Sequence, residues 1–168
     1  EDLGIAMKIG AEDGGPAFYD AATAYLPSVT NQTERRTLLA ALANRGDESM
    51  VEDLFAESLK GSYSADEVFA VVSSALSNDS AKDRAWEIFM AEFDAIVARM
   101  PEIRKPQLAG MTGYVCSVQK SSDIAAFFET KSALIPGYER SLAQGVERAQ
   151  LCSALKTQKA LDVKNAFQ

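Results

Sequence analysis

The side chains of this 168-residue chain that could do chemistry are 24 carboxylates, two thiols and no imidazole. The missing histidine removes the His-Glu-x-x-His zinc motif, every Ser-His or Cys-His nucleophile pair, and imidazole acid–base chemistry. Two cysteines cannot build a structural zinc site unaided. Carboxylate chemistry remains, and its candidates are the adjacent pairs Glu12–Asp13, Asp47–Glu48, Glu52–Asp53 and Asp66–Glu67. Neighbours on a helix point about 100° apart, so such pairs do not converge on one reacting atom. Several also stand at expected helix starts, where the macrodipole favours negative charge. The chain is therefore expected to supply no catalytic residue, no cofactor-binding residue and no metal ligand.

Other constellations have structural readings too. Gly14-Gly15 before Pro16 is a turn at a helix start, because the Lys-Ser/Thr of a phosphate loop does not follow. Asn31-Gln-Thr33 and Asn78-Asp-Ser80 fit the glycosylation acceptor pattern, but both fall where helix caps are expected. Trp86, Phe89, Phe93 and the Phe127–Phe128 pair recur at helical spacing, which places them in a core rather than in a ligand box. Cys116 and Cys152 stand 36 positions apart. They are either a disulfide, which implies an oxidising compartment, or two buried thiols acting as small apolar residues.

Charge is unevenly spread. The net charge is −7, which argues against nonspecific binding to nucleic acid or to an anionic membrane. Residues 1–98 hold 18 acidic and 7 basic side chains, a net of −11; residues 99–168 hold 6 and 10, a net of +4. The basic set is Arg99, Arg104, Lys105, Lys120, Lys131, Arg140, Arg148, Lys156, Lys159 and Lys164. Its simplest reading is solvated helix faces and helix C-termini. The sharper one is a surface that holds an anionic group such as a peptide carboxylate.

The elements that must position these groups all read as helices. Phe18, Tyr19, Ala22 and Tyr25 mark a helix over 16–26. Asn31 with Glu34 predicts a capping box ahead of Leu38, Leu39 and Leu42, with Gly46 as the stop. Asp47 predicts the cap of a helix bearing Met50, Val51, Leu54, Phe55 and Leu59, and Ser64 with Glu67 a second capping box. Asp79 or Ser80 opens the longest stripe, Trp86 to Met100, stopped by Pro101. A helix through Leu108, Met111 and Val115 is weakened by Gly110 and Gly113. Ser121–Thr130 and Tyr138–Lys156 follow, the latter carrying Leu142, Val146, Ala149, Cys152 and Leu155 inward. A short last helix through Leu161 and Val163 to Phe167 ends the chain. No segment alternates with period two, so strands are not expected. Helix pairs near 31–60, 64–99, 103–131 and 138–167 give a spacing of roughly 30–40 residues, as in helical-repeat arrays. The fold class is all-α, an irregular α-solenoid of antiparallel helix pairs, with a compact bundle as the other possibility. Residues 1–168 read as a single helical domain.

The chain opens on Glu1 without a basic region or a long apolar one, and no apolar run approaches the roughly 18 residues a membrane span requires. It therefore reads as a soluble piece cut from a longer protein.

The order of particular residues resembles a known family. Leu38-Leu39-Ala40-Ala41-Leu42-Ala43 precedes Asp47. Ser77-Asn78 leads into Ala85-Trp86-Glu87-Ile88-Phe89, with Phe93 and Ile96 beyond. Ala126-Phe127-Phe128 comes before a long terminal helix with Glu147-Arg148 and Leu151-Cys152. This resembles the C-terminal helical domain of the gluzincin zinc aminopeptidases, the group of puromycin-sensitive and endoplasmic-reticulum aminopeptidases, from about residue 15 to the end. Ala85 and Trp86 match that family's Ala-Trp-x-Phe segment, with Phe89 one position beyond its Phe, whereas Glu92-Phe93 stands where Asn-Trp is usual. The resemblance implies that a separate N-terminal domain carries the zinc, its His and Glu ligands and the catalytic Glu. It implies that this chain closes over that site and restricts peptide access, with the catalytic domain and peptides as partners. The pattern around Cys116 and Cys152 looks more like that of exported bacterial members. A free-standing helical-repeat scaffold for a protein or peptide is the rival reading, and a small carboxylate-based helical enzyme a distant third.

Overall fold

A computed structural model describes residue 7, residues 9 and 10, and residues 14–166. The chain divides into two compact units, Glu1–Met100 and Pro101–Gln168. Among the described residues there is no strand, so the chain is all-α, and no helix is long and apolar enough to cross a membrane.

The first unit is built from α1 (Gly15–Tyr25), α2 (Gln32–Arg45), α3 (Glu48–Leu59), α4 (Ala65–Leu76), α5 (Lys82–Ala91) and α6 (Phe93–Arg99). Local sequence starts them. The Asn31 side chain accepts from the Thr33 and Glu34 amides, and Asp47 accepts from Met50 N. Ser64 and Glu67 form the complete reciprocal box, satisfying amide donors that a helix start leaves open. The Asn31–Glu34 box is only half made, because the Glu34 carboxylate instead accepts from the Tyr25 hydroxyl at 3.3 Å. Neither Asp79 nor Ser80 caps α5: the Asp79 carboxylate is taken by Lys82 Nζ at 2.6 Å.

Packing follows the paired pattern. The helix α2 packs most extensively on α4, while α3 lies against both α4 and α5. Equivalent helices of successive pairs thus form two layers, the arrangement of a helical-repeat array. The central helices are buried on several sides, α2 through Leu38, Leu39, Ala41, Leu42 and Ala43, and α4 through Val68, Val71, Val72, Ala75 and Leu76. Phe55 of α3, Phe89 of α5 and Phe93 of α6 are fully buried, each stabilising by about 2–3 kcal/mol on area alone. The stripe from Trp86 to Met100 is buried as the spacing predicts, but it spans two helices, with a break at Glu92.

The second unit comprises α7 (Lys105–Ala109), a 3₁₀ turn over Gly110–Tyr114, α8 (Val118–Thr130), a 3₁₀ turn over Ser132–Leu134, and α9 (Glu139–Ala166). The expected helix through Leu108 and Val115 is thus five residues of α-helix continued as a 3₁₀ turn. The two glycines explain the change. Gly145 of α9 lies so close that a Cβ on it would stand 3.0 Å from Gly110 O and 3.2 Å from Gly113 N, and Arg148 donates to Gly110 O at 2.8 Å. The separate last helix does not form; α9 runs unbroken through that region, because no Gly or Pro interrupts residues 146–166. Phe167, the final residue of that expectation, lies outside the described residues. Past Ala149, α9 leaves the body of the unit: Leu151 and Leu155 are 63% and 57% exposed. The inward placement of Cys152 and Leu155 is therefore corrected.

Candidate functional site

In three of the carboxylate pairs singled out from sequence, one member has a structural task of its own. Asp47 caps α3. Glu52 accepts from Arg84 at 3.0 Å, and Arg84 also bridges to Glu87 at 3.0 Å. Glu67 serves the Ser64 box with one oxygen and receives Arg35 Nε at 2.5 Å with the other. Arg35 further donates to Leu26 O at 2.8 Å and lies over the Tyr63 ring. This buried knot ties the loop after α1 to the start of α4. It commits both Glu67 oxygens to the fold. Glu12–Asp13 lies outside the described residues.

Among the described residues no group of three or more His, Cys, Asp or Glu side chains converges as a metal site. The donor set does not fit the zinc implied for the parent enzyme, since the chain has no histidine and both thiols are oxidised. Cys116 and Cys152 form a disulfide, Cα to Cα 5.1 Å. It joins the loop after the 3₁₀ turn to α9 just beyond the buried Ala149, and closing that loop stabilises the unit by about 3–4 kcal/mol on chain entropy.

The remaining candidates resolve as structural features. Trp86, Phe89 and Phe93 stack edge to face at 5.3 and 5.4 Å in the first core. Phe128 is buried and Phe127 half-buried beside it at 5.5 Å. Asn78, 2% exposed, donates to Ala43 O and Gly46 O and accepts from Ser80 N, so it finishes α2 and is closed to glycosylation in the folded chain. Gly15 takes a positive φ of 55° at the entry to α1, which glycine adopts at no steric cost. Of the ten basic residues in the basic third, Arg99 donates to Tyr63 O, Lys105 pairs with Glu102 and Lys159 with Asp162. None of those with described side chains lines the grooves described next.

Concave surface lies between helices. A groove of about 690 Å³ runs between α1 and α3, lined by Tyr19, Asp20, Asp53, Leu54, Glu57 and Tyr63 among others. A second, of about 400 Å³, lies between α3 and α5 and includes Glu52, Arg84, Glu87 and Glu92. In the second unit a groove of about 450 Å³ between α8 and α9 contains Glu129, Glu139 and Glu147. Inside the first groove the Tyr19 hydroxyl donates to Met50 O at 3.0 Å. Burial, then the nearby Asp53 carboxylate, pushes the Tyr19 hydroxyl up to about 12. Burial also raises Tyr63, against the lowering influence of Arg35. Both phenols stay neutral donors at physiological pH. Sequence reasoning missed this groove: Tyr63 was not selected, although Gly61, at φ 105°, signals the turn that seats it. The four-residue spacing of Asp53 and Glu57 sets two carboxylates on one face of α3.

Residues 3–151 match the model of the ERAP1-like C-terminal domain family. No curated protein matches the chain.

Proposed function

Because the chain belongs to the ERAP1-like C-terminal domain family, the helical C-terminal domain of an aminopeptidase, we propose that it walls the catalytic chamber of a zinc-dependent parent enzyme. The match over residues 3–151 carries this reading. Stacked helix pairs bury their apolar stripes against each other and leave polar grooves as the free surface. Set over a metal site on another domain, such a surface keeps out bulk water and large proteins and admits peptides, and motion of the stack gates entry. Asp47, Glu52 and Glu67 serve a cap and ion pairs and the thiols a disulfide, which supports a wall that does no chemistry. The disulfide fits an enzyme made for an oxidising compartment.

The purified chain, supplemented with zinc and assayed on a chromogenic aminoacyl amide, is expected to read background; turnover above background refutes the assignment. A His-Glu-x-x-His segment encoded upstream of Glu1 is expected in the parent gene, and a start codon directly before Glu1 would favour the free-standing scaffold.

A further inference from the structure

We propose that the groove between α1 and α3 docks a cationic peptide segment, its apolar side chains on a leucine floor and its Lys or Arg groups against Asp20, Asp53 and Glu57. The groove's volume of about 690 Å³ suits several side chains. Leu26, Leu42 and Leu54 form a buried floor. The rim carries three carboxylates and a single cation, Lys60, whose ammonium is already held 2.8 Å from Glu57. Asp20 and Asp53 make no hydrogen bond or ion pair among the described residues.

The surrounding field has the same sign. Across α3, sharing Ala56, the neighbouring groove adds Glu52, Glu87 and Glu92 against Arg84. An apolar floor inside a rim of one sign selects an amphipathic partner of the other, because the rim steers approach and the floor supplies contact area. The chain's own first residues match poorly, since residues 1–13 hold four carboxylates against Lys8. That the occupant is a peptide rests on the function proposed above; that it is cationic rests on the groove itself.

The test is fluorescence anisotropy of the 168-residue chain with a labelled peptide of alternating Lys and Leu, beside its Glu–Leu counterpart. The Lys–Leu peptide is expected to bind saturably and more weakly as salt rises, and the Glu–Leu peptide not to bind. D20N/D53N is expected to lose about fivefold or more in affinity, while E129Q/E147Q, in the groove of the second unit, binds as the unaltered chain does. The comparison of the two peptides and the salt series need no variant, so a misfolded variant leaves the test intact. Absence of saturable binding, equal binding of both peptides, an undiminished D20N/D53N, or an equal loss in E129Q/E147Q each overturns the proposal. So does self-association of the chain, seen by sedimentation, that the peptide displaces, because the occupant would then be a second copy. Such a failure leaves the aminopeptidase reading standing, whereas a parent enzyme without aminopeptidase turnover sinks that reading and not this binding.

Discussion

At the scale of single residues the chain spends its reactive groups on holding itself together. Glu67 is the clearest case, with its side chain 9% exposed and both oxygens engaged. Removing it leaves Arg35 half-buried without its carboxylate and Ser64 N without its acceptor. Glu67→Ala is expected to cost about 3 kcal/mol in urea unfolding, and Glu67→Gln about half that, because the amide oxygen can still accept from Ser64 N. A loss below about 0.5 kcal/mol would place the knot among surface pairs. Tyr19 gives a pH test. Its folded value lies above the ordinary 10, near 12, so the stability it contributes is complete below pH 10 and is lost as pH rises toward 12. An absorbance titration should show a late tyrosine phase that Tyr19→Phe diminishes, Tyr63 also being raised by burial. Titration of every tyrosine near its ordinary value would contradict the burial assigned to that hydroxyl.

Elements are where sequence and structure diverge most informatively. Caps at Asn31, Asp47 and Ser64 and the buried stripe through Phe89, Phe93 and Ile96 were legible because capping and periodicity are local. The break at Glu92, the 3₁₀ turn at 110–114 and the exposed stretch of α9 were not, because each depends on what the partner element offers. Gly145 shows the principle. Read alone it is a weak point in a helix, and read with Gly110 and Gly113 it is where two backbones meet. Gly145→Ala should therefore destabilise the chain by about 1–2 kcal/mol, despite a propensity gain of about 1 kcal/mol, as the new methyl meets backbone that cannot swing away. A thermal midpoint raised by this substitution would mean the contact is looser than described. The disulfide belongs to the same class: spacing left bridge and buried thiols equally open, and only the 5.1 Å approach of the Cα atoms decides. The candidate groove was the least legible feature, since Asp20, Asp53 and Tyr63 meet across two helices and a loop.

For the whole molecule, the all-α architecture and the family could be read from ordered packing residues, none of them specific singly. The proposed wall function would belong to the assembled enzyme, so it is tested there. The direct measurement compares hydrolysis of a small aminoacyl amide with that of a large unfolded polypeptide by the parent enzyme truncated ahead of this chain, with and without the purified chain added back. The truncated enzyme is expected to cleave both, and stoichiometric addition of the chain to suppress cleavage of the polypeptide while sparing the small amide. Equal discrimination between the two substrates with and without the chain would contradict it.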